Sequence, residues 1–371
     1  MGKIELDHTG SGSGITLSSD GTDLLLNGTA VGGGGGFTSI VENYTNGTAP
    51  TVTGSDSVGI GDSTTASGSD SYAMGHYATA AGSQAIALGF LANVGSGATA
   101  GGAALGYNAT VGAGASGVAL GQSYVSGNNS FAAAIANNTS SYGATGANSI
   151  AMGYQAKATA TGAQALGYNA VASGLYSTAI GNSNGAFASG TNSFAWGTFS
   201  AASTTYAIAL GPFASATLNS AVAIGNSATP NAIGKMAFGN GTGDHQIGFN
   251  LLRQRTTNAT QTQMTTNNSS ASTTNGINVQ TNAAYAFSGT VVAKQQASAN
   301  CSAWEIKGLI VNNGGTMTLV NSAITVIDNQ NSWGLALAAD NTNKALAINV
   351  TGAASTNIYW NASITTSEVE D

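Results

Sequence analysis

Residues able to support nucleophilic, acid–base or metal chemistry are few and scattered along this chain. The three histidines, His8, His76 and His245, lie in different segments, and no two stand at the spacing of metal ligands. The single cysteine, Cys301, excludes an internal disulfide, and we predict a buried thiol rather than a reactive one. The sequence therefore predicts no metal site and no cofactor.

Three aspartates, Asp56, Asp62 and Asp70, lie close together in sequence. Glycoside hydrolysis needs two carboxyl groups that face one bond. If the chain forms stacked coils of 14 residues, Asp56 and Asp70 lie about 4.8 Å apart on neighbouring coils. The alternative, which we favour, is that each aspartate caps a turn. We predict that the protein has no catalytic residues and is not an enzyme.

Two glycine-rich stretches resemble ligand-binding loops only superficially. Residues 32–36 are five glycines, but no strand, lysine and helix follow them as in a phosphate-binding loop, so we predict a flexible linker. Residues 239–245 (GNGTGDH) contain glycine and aspartate as calcium-binding repeats do, but they occur once. A turn is the preferred interpretation there.

A short repeat organises residues 56–239. An apolar residue followed by glycine recurs at a basic spacing of 14 residues, with occasional insertions of one to three. The thirteen apolar positions are Ile60, Met74, Leu88, Leu105, Leu120, Ile135, Met152, Leu166, Ile180, Trp196, Leu210, Ile224 and Phe238. The glycines are Gly61, Gly75, Gly89, Gly106, Gly121, Gly153, Gly167, Gly181, Gly197, Gly211, Gly225 and Gly239, and Ala136 takes the place of one. A fixed short period is typical of a solenoid.

The period of 14 residues favours strands over helices. Fourteen residues are too few for a helical hairpin, and apolar residues alternate with small ones as in a strand with one buried face. A second small or apolar site follows six residues later, as at Ala66, Ala80, Val94 and Val111. We predict two strands and two turns per coil, with the thirteen apolar residues pointing inward as a core ladder. Trp196 would require a local widening.

Residues 148–153 (NSIAMG) and 192–197 (NSFAWG) match the phrase NSVAIG almost residue for residue. This half of the chain resembles the head repeats of YadA-type trimeric autotransporter adhesins. The resemblance implies a left-handed parallel β-roll, with asparagine in the turn where this chain has Asp56 and Asp70. It also implies that three chains pack side by side.

Energetics also favour an oligomer. Ordering 14 residues costs about 20 kcal/mol, whereas burying one leucine contributes about 2 kcal/mol. One coil therefore cannot fold alone, and a thin roll lined by alanine is better explained if several copies pack along its length. Because the resemblance to the adhesin heads implies three chains, we predict a homotrimer.

The flanking segments divide the rest of the chain. We predict a β-rich attachment segment at 1–31 with a hairpin at Asp20-Gly21, the linker at 32–36, and a β-roll shaft with caps at 37–250, where residues 37–41 cover its first edge. A polar connector follows at 251–282. Six alternating apolar runs then predict an antiparallel sandwich or jelly roll at 283–371. The runs are 285–292, 303–310, 317–320, 333–337, 345–350 and 358–364.

Both ends of the chain are similar to phage tail-fibre and virion structural proteins. The similarity lies in residues 21–28 (GTDLLLNG), 255–260 (RTTNAT), 284–289 (AYAFSG) and 365–369 (TTSEV). It implies a place in the virion, on the tail or on the capsid. These phrases are shorter and less specific than the repeats.

Composition narrows the class of function. Only 6% of residues are charged, the net charge is −7, and the basic residues are scattered, so we predict no binding to nucleic acid. The first eight residues carry charges and no apolar run, and no window is apolar enough for a membrane helix. We expect neither an export signal nor membrane insertion.

We therefore predict a trimeric phage tail fibre or appendage in the virion, assembled in the host cytoplasm, that presents an adhesive surface to its host. Its partners would be its own copies, other virion proteins and a receptor on the host surface. Two alternatives stay open: a decoration or head-fibre protein of the phage capsid, and the head of a bacterial trimeric adhesin on the cell surface.

Overall fold

The architecture is that of a computed structural model. It describes residues 47–97, 101–136, 141–182, 184–241, 245–329 and 331–371, together with the backbone of four N-terminal strands. These residues form strands and turns without a helix. Consequently, they contain no helix that is long and apolar enough to cross a membrane. The chain divides into two compact units, Met1–Gln155 and Ala156–Asp371.

The four N-terminal strands form an antiparallel sheet in chain order. They are β1 (Ile4–Leu6), β2 (Ile15–Ser19), β3 (Leu24–Leu26) and β4 (Thr29–Val31). Strands β2 and β3 pair antiparallel, as the hairpin prediction requires. The Asp20-Gly21 turn, the linker at 32–36 and the cap at 37–41 lie outside the described residues.

The repeats form a parallel β-solenoid with two strands per coil, as predicted. In the first unit, the strands are β5 (Thr51–Val52), β6 (Val58–Ile60), β7 (Thr65–Ala66), β8 (Tyr72–Met74), β9 (Thr79–Ala80), β10 (Ile86–Leu88), β11 (Asn93–Val94), β12 (Ala103–Leu105), β13 (Thr110–Val111), β14 (Val118–Leu120), β15 (Tyr124–Val125), β16 (Phe131–Ala133), β17 (Gly143–Ala144) and β18 (Ile150–Met152). Even-numbered strands β6 to β18 stack in one parallel sheet, and odd-numbered strands β5 to β17 stack in the other.

The second unit continues with the same motif. Its repeat strands are β19 (Lys157–Ala158), β20 (Gln164–Gly167), β21 (Val171–Ala172), β22 (Thr178–Gly181), β23 (Ala186–Ala188), β24 (Phe194–Trp196), β25 (Ser200–Ala202), β26 (Ile208–Leu210), β27 (Ser215–Ala216), β28 (Val222–Asn226) and β29 (Met236–Asn240). With seven coils in the first unit and six in this one, the described strands give the thirteen coils that the repeat predicts.

The large apolar residues face outward, so our prediction of an inward ladder is wrong. Ala73 and Ala209, the middle residues of their strands, have no exposed surface, whereas Met74 is 43% and Trp196 is 58% exposed. The stacking itself is as predicted, because Trp196 pairs with Leu210 on the next coil. The first strand of each coil presents a small middle residue to an interior filled largely by alanine, together with valines of the second strand such as Val94 and Val111, so the larger residues that flank it face outward. Trp196 therefore needs no widening of the roll.

One position of the predicted ladder is out of register. Ala133, not Ile135, pairs with Met152 on the following coil. Ile135 lies two residues further on and is fully buried. Ala134 adopts a φ of 54° and takes the place that glycine holds elsewhere. The apolar-before-glycine rule misplaced this coil because its glycine is missing.

Ten of the twelve predicted turn glycines have a positive φ, and the exceptions are Gly181 and Gly239. At Gly211, with φ +121°, a Cβ atom would lie 2.6 Å from the carbonyl oxygen of Gly225 on the next coil. At Gly234, with φ +71°, a Cβ atom would meet nothing within 4 Å. A side chain at either position would strain the backbone, but only at Gly211 would it also clash with the next coil.

We therefore expect Gly211→Val to destabilise the roll by about 2–4 kcal/mol, since backbone strain and a clash act together. Gly234→Val should cost only the strain, about 1–2 kcal/mol. Denaturant unfolding of the two variants measures the difference. Equal losses would show that close stacking of the turns is unimportant.

All six C-terminal runs are strands, and three more precede them. They are β30 (His245–Thr256), β31 (Thr262–Gln263), β32 (Ile277–Asn278), β33 (Ala283–Gln295), β34 (Cys301–Asn313), β35 (Thr316–Asp328), β36 (Gly334–Asp340), β37 (Ala345–Thr351) and β38 (Ile358–Glu370). Strand β30 crosses the predicted boundary at residue 250 without a break, and the segment that we predicted as a connector contains β31 and β32.

These strands form two antiparallel sheets. One has the order β30-β38-β33-β34-β35. In the other, β37 pairs with β36 along one edge and with β31 and β32 along the other. Side chains from both sheets form one buried cluster, in which the rings of Trp304 and Trp360 stack at 5.6 Å. Strand β29 pairs antiparallel with β30, so the last coil passes directly into the larger sheet.

Candidate functional surface

Within each unit, the outward-facing apolar side chains on the first strand of each coil form a row, which we call the outward row. In the second unit, it runs from Ile224 to Phe238 and on to Ile247 of β30 through backbone pairing. Phe238 also contacts Phe249 edge to face, with ring centroids 5.7 Å apart. Ile247, Phe249 and Leu251 are 46%, 46% and 57% exposed. The row therefore extends beyond the repeats onto the C-terminal sheet.

The first unit has the same feature. Tyr72, Met74, Ile86 and Leu88 all remain exposed on neighbouring strands that pair in register. Soluble monomers rarely expose contiguous apolar patches of this kind, and larger ones mark interaction sites. The outward row is thus the strongest candidate for a contact surface along the solenoid.

Aromatic residues also stack along one turn of successive coils. His76, Phe90 and Tyr107 follow the turn glycines of three consecutive coils, and their rings lie 5.2 and 5.6 Å apart. Phe199 and Phe213 make a similar stack in the second unit, at 5.5 Å. Phe90 and Tyr107 stack nearly parallel, at 4°, as do Phe199 and Phe213, at 28°, whereas His76 is tilted by 58° against Phe90. Sequence analysis missed them because the position after glycine varies in residue type.

The predicted aspartates are turn residues. Asp56 and Asp70 occupy equivalent turns of neighbouring coils and have φ values of 52° and 55°, close to the 54° of Asn148. The turn interpretation is therefore confirmed. Asp62 accepts a hydrogen bond from the backbone amide of Thr48 and lies 3.1 Å from Nε2 of His76.

Cys301 is exposed, which overturns the prediction of a buried thiol. It is the first residue of β34 and pairs with Lys294, whose side chain is also exposed. The neighbouring Ser302 takes the inward position instead. Alternation along the strand decides which of the two is buried. Within the described part of the chain, no group of three or more His, Cys, Asp and Glu side chains could hold a metal ion.

A buried polar network joins the last coil to the C-terminal sheets. Lys235 is 1% and Glu368 is 2% exposed, and Nζ lies 2.6 and 2.7 Å from the two carboxylate oxygens. Gln246 donates to Oε2 of Glu368 at 2.7 Å, and the Thr366 hydroxyl donates to Oε1. Every oxygen of the carboxylate therefore has at least two donors.

The network extends through an asparagine and a tyrosine. Oδ1 of Asn231 accepts from Nζ of Lys235 at 2.9 Å, and Nδ2 donates to the Tyr285 hydroxyl at 3.1 Å and to the Asn278 carbonyl at 2.8 Å. Tyr285 in turn donates to Glu370 at 2.9 Å, and its ring lies 5.5 Å from Nζ.

Sequence reasoning missed this network, although one signal was present. Lys235 occupies the inward slot that holds Ser193, Ala207 and Ala221 in the three preceding coils. A lysine in a slot otherwise reserved for small residues is costly without a counter-charge. Its partner, 133 residues away, could not be identified from the repeat.

Burial and two neighbouring carboxylates shift the pKa values of Lys235 and Tyr285. Burial lowers the pKa of Lys235 below its ordinary 10.5, while the attraction of Glu368 opposes that shift. Burial, assisted by Glu368 and Glu370, raises the pKa of Tyr285 well above its ordinary 10.0. Because the folded-state pKa of this acid is raised, its contribution to stability is complete below pH 10 and is lost as the pH rises above 10.

Tyr285→Phe should lose about 1–2 kcal/mol at pH 7, since the hydroxyl donates a hydrogen bond to the Glu370 carboxylate. Above pH 10, the wild type should lose stability faster than the variant, so the difference in stability between the two proteins should narrow. Melting temperatures from pH 7 to 11 measure this, with Tyr359→Phe, at an exposed tyrosine, as the control. A difference in melting temperature that stays constant with pH would contradict the raised pKa of Tyr285.

Three comparisons relate this chain to known proteins. No curated protein matches it. Among solved structures, it is similar to the tailspike protein of Acinetobacter baumannii bacteriophage Fri1, a capsular polysaccharide depolymerase. That likeness has 10% identity and a TM-score of 0.23, and it covers 83% of this chain and 62% of the tailspike. The chain thus spans less than two thirds of that protein, and so distant a likeness does not transfer an activity.

The repeats match a described family. Residues 66–92, 144–163, 165–184, 188–214 and 202–228 match the YadA head domain repeat. These ranges include both phrases from which the sequence resemblance was drawn. The predicted resemblance is thereby confirmed: repeats within residues 66–228 are similar to those of the YadA head.

Proposed function

We propose that this chain is a trimeric fibre protein of a phage virion that presents an adhesive surface to the host. The observation that carries the proposal is the outward row, an apolar surface along repeats that match the YadA head repeat. In the proposed trimer, each roll is left-handed, and the outward rows of three parallel copies face one another. The C-terminal sheets form a sandwich that ends the fibre.

The apolar row favours assembly rather than direct adhesion. It repeats on coil after coil and has few charges near it, and no segment among the described residues of the same copy covers it. Parallel copies of the same chain offer the same repeat spacing and therefore match it along its length. Three linked copies would also combine weak contacts with the host into an avid one. The exposed loops of the C-terminal domain are our choice for that contact.

Position in the virion rests on the similarity of both chain ends to phage tail-fibre and virion proteins. Tail and capsid positions are both compatible with it. The second candidate is the head of a bacterial trimeric adhesin, which the match to the YadA head repeat favours. Immunogold labelling of intact phage particles and of bacterial cells separates the two: we expect gold on the particles, whereas gold on cells alone would support the adhesin.

Light scattering on the purified chain tests the trimer. We expect a mass of three times 36.3 kDa, independent of concentration in the micromolar range. A mass of 36.3 kDa would refute the packing of three rolls. Binding of the labelled trimer to host cells then tests adhesion separately from assembly.

A further inference from the structure

Three functional groups of the buried network are arranged for a covalent reaction. Nζ of Lys235 lies 2.9 Å from Oδ1 of Asn231 and 2.6 Å from Oε1 of Glu368. An amine, a carboxamide and a carboxyl group thus meet where both the lysine and the glutamate are shielded from solvent. These are the groups required to build an amide bond between two side chains, with the carboxyl group carrying protons.

The reacting atoms are already close. Since a C=O bond is about 1.2 Å long, the contact of 2.9 Å places Nζ at most about 4 Å from Cγ of Asn231. Reactive conformers have their atoms about 3–3.5 Å apart. A side-chain movement of about 1 Å or less therefore brings the amine to the carbonyl carbon.

Hydrogen bonds fix the orientation of the carboxamide. Nδ2 donates to the Asn278 carbonyl, which cannot itself donate, so Oδ1 is the atom that faces the lysine. The Tyr285 hydroxyl lies 3.1 Å from Nδ2 and restrains the same group from the opposite side. The amide is therefore held by both ends before any reaction begins.

We propose that Lys235 and Asn231 become joined by an amide bond between Nζ and Cγ, with release of ammonia and with Glu368 as the proton carrier. The two residues are four positions apart in the turn that leads into β29, so the bond closes a small ring at the end of the roll. This inference is independent of the proposed trimer and host contact.

The steps balance without an oxidant or a second reactant. Glu368 takes a proton from the ammonium group, and the neutral amine attacks Cγ. Glu368 then gives that proton to Nδ2, the Cγ–Nδ2 bond breaks, and the departing ammonia takes a second proton from Nζ. Of the three ammonium protons, one stays on the new amide and two leave with the departing nitrogen as an ammonium ion.

The surroundings favour both the reaction and its product. Burial favours the neutral, nucleophilic form of the amine, since it lowers the pKa of Lys235. After the reaction, the remaining N–H can donate to Glu368, which keeps its hydrogen bonds from Gln246 and Thr366. The product therefore removes a buried positive charge and keeps a partner for the new N–H, while the Asn278 carbonyl and the Tyr285 hydroxyl each lose the hydrogen bond from Nδ2.

Mass spectrometry of the denatured full chain tests the bond directly. We expect the wild type to weigh less than its sequence by one ammonia molecule. Trypsin should fail to cut after Lys235, although it cuts after Lys157, and reductive methylation should label Lys157 but not Lys235. A succinimide at Asn231 also loses ammonia but leaves Lys235 open to both reagents.

Variants give a second, independent readout. Lys235→Arg and Glu368→Gln should both show the full sequence mass, and trypsin should cut Glu368→Gln after Lys235. These measurements use denatured protein, so they do not depend on how well each variant folds. A wild type at full sequence mass, or a blocked Lys235 accompanied by loss of water instead of ammonia, would overturn the proposal.

Discussion

Replacing Glu368 by alanine should lower the stability of the C-terminal sheets by about 3–5 kcal/mol. In the variant, the amine of Lys235, which is 1% exposed, has no counter-charge, and Gln246 loses an acceptor. Losing one partner of a buried ion pair costs more than losing both, because a charge is left in a medium that solvates it poorly. For a unit of this size, the expected fall in melting temperature is about 10 °C.

A double variant provides the control. Lys235→Met combined with Glu368→Gln removes both charges and keeps a polar partner for Gln246 and Thr366. It should recover most of the lost stability, since paired removal of buried charges is close to neutral. Thermal unfolding followed by tryptophan fluorescence reports on this region, where Trp304 and Trp360 are buried. If Glu368→Ala melts as the wild type does, the network does not hold the domain to the last coil.

The repeat predicted the coil but not the direction of its side chains. Strand alternation allows either the alanine or the larger residue to face inward, and hydrophobicity alone favours the larger one. In the structure, the first strand of the coil turns Ala209 inward and Leu210 outward, and the rest of the interior is occupied by small buried residues of the second strand such as Ala216. Ranking the residues by hydrophobicity alone therefore could not predict which of them faces inward.

The sequence also did not predict which residues that lie far apart along the chain contact one another. Each of the six alternating runs predicted a strand, because period-2 patterning is a local property. The partner of Lys235 was not predictable, since Glu368 is far away in sequence and its inward position depends on the register of β38 with β30. Likewise, only the register shows that Ala133 holds the slot assigned to Ile135.

Substitutions at two neighbouring residues of β20 can distinguish the folding of the roll from the assembly of several copies. Ala165 has no exposed surface and points inward, whereas Leu166 lies in the outward row and pairs with Ile180 on the next coil. The two positions share one strand, so a substitution by aspartate differs only in the face that receives the charge.

Leu166→Asp should abolish or strongly weaken the proposed trimer, because three carboxylates at one level would be taken out of water without partners, at a cost of several kcal/mol. Each coil itself should tolerate the change, since the side chain points away from its interior. Ala165→Asp should instead unfold the roll at that level. Light scattering reads the mass and circular dichroism the strand content. A Leu166→Asp chain that keeps three times 36.3 kDa and the wild-type melting temperature would show that the outward row is not the contact between copies.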